Sequence, residues 1–333
     1  MSDAERITAW LAKKARRKNA ASASRLEELV ARYREKNVGR ALGGQVRQSE
    51  FGEHLLIQRF IKRSLSLPAE ETVKEGLLSE LRSISGIGRS YAQQLRDQGY
   101  HSITELLAHP RWKKPACDLL DHWGSPLDPR SVYRTLCRWL PSSHPLFLSL
   151  VGLVPREEII LFGVETLRLL DGQVFSISLG RLQEEGLLVR QYLARSLDEE
   201  TTLLGLLGEE LSRTSILFSY NGKTVDWPSV RTRNAYYGLP EIRAPIHIDL
   251  LYHARRAFED SFPDLKLRTV EERLLGVRRR EDLPGRELPE FYAAYLETGS
   301  PGPLIPIVNH NLQNVESLAL LLRHLLALTG HAG

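Results

Sequence analysis

The chain has few cysteines and no long apolar stretch, and these two absences exclude several classes of protein. Cys117 and Cys137 are too few for a disulfide framework or a four-ligand zinc site, so a reducing, cytoplasmic location is expected. No apolar run approaches the roughly 18 residues that cross a bilayer, so no membrane partner is expected. The N-terminal segment lacks the apolar core of a secretory signal, although its arginines are compatible with a transit peptide.

Acidic residues are scarce between positions 1 and 63, where 15 Lys or Arg accompany 7 Asp or Glu. The remainder of the chain has slightly more acids than bases, so the basic character is an N-terminal property. Charge alone attracts a polyanion such as nucleic acid to such a region, in a salt-dependent way. The run KKARRK is equally compatible with a solvated basic helix.

The 333 residues divide into a helical first part and an α/β second part. Apolar residues recur at helical spacing in RLEELVARYREK, and the whole segment from position 1 to position 140 is predicted to be helical. Pro, Ser and Gly in PSSHPLFLSLVGLVPR indicate a linker. The predicted units are a basic helical region over 1–64, a helical domain over 65–140, the linker over 141–156 and an α/β domain over 157–330.

The pattern changes from helices to strands after residue 156. EIILFGVE, QVFSISLGR and GLLVRQYLA are short apolar or alternating runs that predict three strands. They are followed by a helical segment DEETTLLGLLGEEL, a strand SILFSY, a helix from about Asp226 and a strand PIHIDL. This order predicts a mixed central sheet flanked by helices.

A glycine-rich turn between two predicted helices is the first motif with chemical meaning. It lies in LRSISGIGRSYAQQLRDQGYHSITELLAH, residues 81–109, where glycines permit a tight turn and leave backbone N–H groups of the next helix accessible to an anion. The segment resembles the helix-hairpin-helix motif, whose hairpin binds the DNA phosphate backbone without reading sequence. Helix pairs that bind nothing also need such turns. The nucleic-acid-binding residues implied by the resemblance are Gly86, Ile87, Gly88, Arg89, Arg82 and Arg96.

A second motif is spread over four blocks of the α/β part. After the opening strand IILFGVE, the blocks are SYNGKTVDWPSVRTR at 219–233, HIDLLYHARR at 247–256, ERLLGV at 272–277 and VNHNLQNVESLALLL at 308–322. In this order they resemble the RNase H-like exonucleases of the DEDD superfamily, most closely the bacterial YprB-type exonucleases. The resemblance implies an RNase H-like α/β fold and an ancestry among 3′–5′ exonucleases that use Mg²⁺ or Mn²⁺.

Two of the four carboxylates implied by the resemblance are replaced. The family's first strand carries an Asp and a Glu on one face, and these positions are Gly163 and Glu165 here. The later blocks carry an Asp, matched by Asp226, then a His general base and a metal-binding Asp four residues on, matched by His310 and Asn314. Glycine offers no side-chain oxygen and an amide is a poor ligand for hard cations. The catalytic remnant is therefore Glu165, Asp226 and His310, with the two acids as weak metal ligands.

Other acids leave an alternative ligand set open. Asp249 is the best candidate for a shifted metal ligand, although a structural role is also predicted for it. Asp171 would require the loop after the first strand to fold back, and Glu316 points about 200° away from Asn314 on a helix. Asp226 itself also fits a helix cap before a Trp-Pro pair.

Two functional hypotheses follow. The favoured one is a nucleic-acid-binding protein, with DNA as the expected partner and RNA as the alternative, whose exonuclease-type domain has lost or reduced catalysis and needs no cofactor. The other is an active 3′–5′ exonuclease of DNA repair or nucleic-acid processing with an altered ligand set and Mg²⁺ or Mn²⁺. A protein-interaction scaffold would leave the basic N-terminus and the glycine turn without a use. The sequence identifies no protein partner.

Overall fold

The computed structural model describes residues 20–167, 172–243, 245–279 and 283–329. Seven strands in these ranges form one mixed sheet. The strands are β1 (Gln45–Ser49), β2 (Gly52–Ile61), β3 (Ile159–Leu167), β4 (Gln173–Leu182), β5 (Leu187–Leu193), β6 (Ile216–Ser219) and β7 (Ile246–Asp249).

Helices of very different lengths surround the sheet. The α-helices are α1 (Ala20–Tyr33), α2 (Val38–Leu42), α3 (Glu70–Ser79), α4 (Arg89–Asp97), α5 (Lys113–Trp123), α6 (Pro129–Trp139), α7 (Leu146–Ser149), α8 (Glu200–Ser212), α9 (Asp226–Tyr236), α10 (Leu250–Phe258), α11 (Leu267–Val270), α12 (Leu288–Thr298) and α13 (Leu304–Leu328). Short 3₁₀ segments and one π-turn connect them: Leu81–Ser83, Glu105–Ala108, Leu150–Leu153, Arg156–Glu158, Leu197–Glu199, Gly285–Glu287 and the π-turn Glu271–Leu275. Of the described helices, none has the length and apolarity to cross a membrane.

The strand order is β1-β2-β5-β4-β3-β6-β7. The neighbouring strands from β1 to β3 in this order pair antiparallel. The pairs β3–β6 and β6–β7 are parallel. Leu161 pairs with Phe218, and Phe218 with Ile248. The carboxyl ends of the three parallel strands therefore lie along one edge, which is where open α/β sheets place their ligand sites.

The mixed sheet flanked by helices, predicted from the sequence, is confirmed. The prediction that the chain is all helical up to position 140 is wrong for 45–61, which forms the hairpin β1–β2. Leu55 and Ile57 of β2 are fully buried, and Gly52 closes the hairpin at φ 130°. A short, mostly apolar run such as HLLI does not distinguish helix from strand by its periodicity, and pairing with β5 decides the outcome here.

Residues of β3 divide between two hydrophobic layers. Ile159 and Leu161 pack on one face and Ile160 and Phe162 on the other, as the two-residue period of a strand requires. The first face shares one continuous core with the helices between residues 65 and 156. The predicted domain boundaries at 64, 140 and 156 stay predictions.

The helical segment also contacts the loop that follows β6. Tyr133 of α6 donates a hydrogen bond from its hydroxyl to the carbonyl of His247 (3.0 Å). The Nζ of Lys223 lies 3.4 Å from the same hydroxyl. Burial lowers the pKa of Lys223. The loop after β6 is thus held between the sheet edge and α6.

Candidate functional site

Gly163 and Glu165 lie in the second half of β3, on the face that α13 covers. They pair with Ser178 and Ser176 of β4, and directly paired residues place their side chains on the same face. The Oγ of Ser176 accepts a hydrogen bond from Asn311 Nδ2 of α13 (3.0 Å). A Cβ at position 163 would meet no atom within 4 Å. Packing therefore does not require glycine there.

Asp226 begins α9, just beyond the carboxyl end of β6. In the described part of the chain its carboxylate has no hydrogen-bond or ion-pair partner. Burial and the negative charge of Asp249 raise the pKa of Asp226 to about 7. The alternative prediction that Asp226 caps its helix is wrong, because Val225 occupies the cap position and no side chain caps α9. Asp226 is thus a half-buried acid beside the sheet edge.

Asp249 is committed to backbone contacts. It is 1% exposed, and its Oδ1 accepts hydrogen bonds from the N–H groups of Asn221 (2.7 Å) and Leu251 (3.1 Å). Its Oδ2 accepts one from the N–H of Lys223 (3.1 Å). These contacts cap α10 and hold the loop that leads to Asp226. They favour the structural role for Asp249 over that of a shifted metal ligand.

His310 and Asn314 project from one face of α13, as a four-residue separation on a helix requires. Both contact the guanidinium of Arg279: Nη2 donates to Asn314 Oδ1 (2.7 Å) and Nη1 lies 3.3 Å from His310 Nδ1. The guanidinium also binds Glu271, at 2.6 Å through Nε and 2.5 Å through Nη2. The Arg279 and Glu271 side chains are only 5% and 0% exposed. Glu271 and Arg279 lie just outside the ERLLGV block, and the sequence predicted no role for either.

The donors for a two-metal site are not assembled. Within the residues that the structure describes, no three His, Cys, Asp or Glu side chains lie close enough together to hold a metal ion. Gly163 supplies no oxygen, the oxygen of Asn314 already accepts from a guanidinium, and Asp249 uses both oxygens on backbone N–H groups. Asp171 lies outside the described residues. The residues present therefore do not fit two Mg²⁺ or Mn²⁺ ions.

The glycine turn connects the 3₁₀ turn Leu81–Ser83 to α4. Gly86 has φ +89°, a left-handed conformation that favours glycine, and a Cβ there would lie 3.4 Å from Trp112. Gly88 is the N-cap of α4 at φ −83°, and a Cβ there would meet no atom within 4 Å. Ile87 is buried, so only its backbone remains for a ligand. The first turn of α4 therefore presents its N–H groups at an open surface.

The arginines beside this turn differ in their availability. Arg89 is exposed, and Arg96 donates to the carbonyl of Ser79 (3.2 Å). Arg82 binds Glu80 through Nε (2.7 Å) and Nη2 (2.5 Å), so its charge is compensated. Although burial opposes ionisation, the hydrogen bonds from Arg82 and a neighbouring histidine lower the pKa of Glu80 to about 2. Of the three predicted phosphate-binding arginines, Arg82 is therefore already fully engaged in hydrogen bonds within the protein.

Arg111 is a cation that the sequence analysis missed. Its guanidinium lies over the ring of Trp112 (4.9 Å) and over that of Tyr91 (5.7 Å), next to the glycine turn. Stacking on two rings holds the charge in place while leaving the side chain exposed. Arg89 and Arg111 thus frame the start of α4.

Comparison with known proteins agrees with this architecture. Residues 160–326, half of the chain, match the RNase H superfamily. The chain belongs to the RNase H superfamily, and the predicted RNase H-like fold is confirmed. The helix-hairpin-helix resemblance stays a prediction.

A relative and a solved structure illustrate the similarity. It is 33% identical over 175 residues to "Uncharacterized protein YprB" of Bacillus subtilis, and the alignment covers 51% of this chain and 42% of that protein. The chain therefore spans less than half the length of this relative. The family B DNA polymerase of the archaeon Pyrobaculum calidifontis matches 52% of this chain with 25% of its own, at 18% identity and a TM-score of 0.42.

Proposed function

We propose that this protein binds nucleic acid, with DNA as the expected partner, and that its RNase H-like domain has lost or strongly reduced catalysis. The proposal rests on the residues that stand where the nuclease family has its metal-binding acids, and on their contacts. Gly163 has no ligand oxygen, Asn314 gives its oxygen to Arg279, and Asp249 holds backbone N–H groups. Two-metal hydrolysis needs several carboxylates around the scissile phosphate, and losing that stabilisation lowers the rate by roughly a thousandfold or more.

The contacts of His310 support the same conclusion. A guanidinium only donates hydrogen bonds, so the Nδ1 that faces Arg279 at 3.3 Å is the accepting nitrogen. That nitrogen is therefore already engaged by the guanidinium, whereas a general base needs a nitrogen that can accept a proton from water.

The nucleic-acid-binding part of the proposal rests on the glycine turn and on charge. The first turn of α4 is open at Gly88, and Arg89 and Arg111 stand beside it. Backbone N–H groups at a helix start, together with nearby arginines, suit phosphate oxygens. Contacts of this kind position a protein on nucleic acid without specifying sequence.

The test separates binding from cleavage. Labelled single- and double-stranded DNA are incubated with the protein in Mn²⁺, Mg²⁺ or EDTA, and both affinity and product length are measured. We expect binding of similar affinity in all three buffers and no shortening of the strand. Shortening from the 3′ end that disappears in the Asp226→Asn variant would overturn the loss of catalysis.

A second candidate function is an active exonuclease with an altered ligand set. The observation that favours it is the carboxylate of Asp226, which is unpaired in the described part of the chain and has a pKa near 7. Glu165, half-buried on β3, would be its partner acid. Metal-dependent cleavage that needs both Asp226 and Glu165 would establish this alternative.

A further inference from the structure

Arg279 contacts the two side chains that the nuclease family uses for general base and metal ligand. We propose that Arg279 is a built-in replacement for the metal ion, so that restoring the missing aspartates alone does not restore metal binding. This inference rests on the proposed function, since it presumes a site without working metal ligands. Arg279 is the residue that would exclude divalent cations from the site.

The guanidinium binds the oxygen that a metal would need. Arg279 Nη2 lies 2.7 Å from Asn314 Oδ1, and Nη1 lies 3.3 Å from His310 Nδ1. A divalent ion coordinates oxygen at about 2.0–2.6 Å, so a metal bound by the side chain of residue 314 would lie close to the guanidinium. Two cations at that separation repel each other strongly where water is excluded. Arg279 therefore competes with a divalent cation for the side chain of residue 314.

Glu271 fixes Arg279 in this position. It receives two hydrogen bonds from the guanidinium, and it is completely buried. The chain returns over Glu271 because Gly276 adopts φ +66° and the N–H of Val277 donates to the Glu271 carbonyl (3.0 Å). Removing either partner would leave a buried charge unpaired, which is strongly destabilising. The buried ion pair with Glu271 thus fixes the position of the Arg279 guanidinium.

The Asn314→Asp change by itself should not create a metal ligand. A carboxylate at position 314 would form a charge-assisted ion pair with Arg279, at the distance where the amide now accepts. The new acid would strengthen the existing arrangement and would not become available to a metal. Position 163 differs, because a side chain there meets open space.

The experiment measures Mn²⁺ binding by the loss of the free-ion signal in electron paramagnetic resonance, using the full chain. We compare the natural protein, the Gly163→Asp plus Asn314→Asp variant, and the latter with Glu271→Gln and Arg279→Gln added. We expect no detectable binding by the first two and at least tenfold tighter binding by the third. Changing Glu271 and Arg279 together avoids an unpaired buried charge.

A second buried pair in the same domain provides a matched control. Glu200 of α8 and Arg233 of α9 form an ion pair of 2.6 Å, with side chains 0% and 7% exposed. Glu200→Gln with Arg233→Gln, added to the two aspartates, removes the same charges and should give no Mn²⁺ binding. Arg279→Lys in the two-aspartate background keeps Glu271 paired but loses the planar fork, so we expect weak binding there.

The outcomes distinguish this inference from the proposed function. Mn²⁺ binding by the two-aspartate variant with Arg279 in place would overturn the inference and leave the proposed function intact. Absence of binding in both the four-substitution variant and the Arg279→Lys variant, each shown to be folded by circular dichroism, would also overturn it. Tight binding by the natural protein would instead contradict the proposed function.

Discussion

Asp226 combines two properties that a purely structural acid rarely has. It is half-buried, and in the described part of the chain its carboxylate has no partner, while its pKa of about 7 lies far above the ordinary value of 3.8. A raised folded-state pKa means that ionisation disfavours the folded protein. The penalty is absent below the unfolded pKa, grows as the pH rises from about 3.8 to 7, and is constant above that.

The Asp226→Asn variant should therefore gain stability over the natural protein as the pH rises. We expect an advantage of roughly 1–2 kcal/mol at pH 8, after allowing for partial exposure to solvent, and a smaller one at pH 5. Urea unfolding at both pH values measures it. Asp118→Asn, at an exposed position, is the control for replacing a carboxylate by an amide. An advantage that is equal at pH 5 and pH 8 would contradict the raised pKa.

The two glycines of the turn should respond differently to substitution. Gly88→Val adds a side chain to open space at ordinary φ, so thermal stability should hold while DNA affinity falls roughly threefold to tenfold through loss of the helix-start contact. Gly86→Val should cost about 1–2 kcal/mol of stability because of its positive φ. Fluorescence anisotropy and thermal unfolding separate the effects.

A matched change elsewhere tests whether the loss of affinity is local. Gly208 of α8 also has room for a side chain, its nearest neighbour being Ile242 at 3.8 Å from the added Cβ. Gly208→Val should leave DNA affinity unchanged. Equal affinity of the Gly88→Val variant and the natural protein would remove the turn from the binding surface.

The sequence predicted which positions belong to the candidate site, but it did not predict which side chains contact them. Gly163, Asp226, His310 and Asn314 were found through the order of the blocks around them. Arg279 could not be found that way, because its role depends on a contact with Asn314 that joins residues 35 positions apart. Nothing in the run VRRR indicates which arginine turns inward.

The hairpin β1–β2 completes the sheet on the side of β5. The part of β2 from Leu55 to Ile61 pairs with β5, and Leu55 and Ile57 lie in the hydrophobic core with no exposed surface. A central strand left without this neighbour exposes a row of unpaired backbone groups. The segment before residue 64 therefore contributes to the fold as well as to the charge.

A chain that begins at residue 64 should fail to fold. Loss of residues before 64 uncovers β5 and removes the buried side chains of Leu26, Leu42, Leu55, Leu56 and Ile57. Each is worth roughly 1.5–3 kcal/mol, so we expect aggregation or a missing cooperative transition. A chain that begins at Ala20 keeps the hairpin and every contact among the described residues, so it should unfold in a cooperative transition. Both are tested by solubility and differential scanning calorimetry. Equal unfolding temperatures for the two chains would show that the hairpin is dispensable.

The elements themselves were predicted where the pattern was long and local. Strands β3, β4 and β5 and the helices α8 and α9 have clear alternation or helical spacing. The hairpin was missed because the strand that fixes it, β5, lies far along the chain from β2, and local pattern carries no information on such a partner. Tertiary pairing decided its conformation.

The whole molecule divides into a basic part and a nearly neutral part. The excess of Lys and Arg lies before residue 64, and the glycine turn with Arg89 and Arg111 follows it in the helical segment. The α/β part, with its many Asp and Glu residues, contributes little net attraction for a polyanion. Binding to nucleic acid should therefore depend on salt mainly through the part of the chain that precedes position 141.

The Arg89→Gln plus Arg111→Gln variant should bind DNA more weakly and with a shallower dependence on salt. Each lost phosphate contact lowers the slope of log K against log salt by about 1. Arg213→Gln is a control at another exposed arginine, 76% exposed and next to the end of α8. Anisotropy titrations over a range of NaCl concentrations give the slopes. An unchanged slope would show that these arginines do not contact phosphate.

The buried pair of Arg279 and Glu271 also constrains how the sequence can change. Asn314→Asp by itself would tighten an ion pair, and Gly163→Asp by itself would add one acid to a site without the other ligands. Loss of Arg279 by itself would leave the Glu271 carboxylate in the core without its ion-pair partner, which would lower the free energy of unfolding by about 3–5 kcal/mol. Under the proposed function, none of these changes by itself assembles a metal site, and one of them threatens folding. Restoring cleavage would then require several coordinated substitutions.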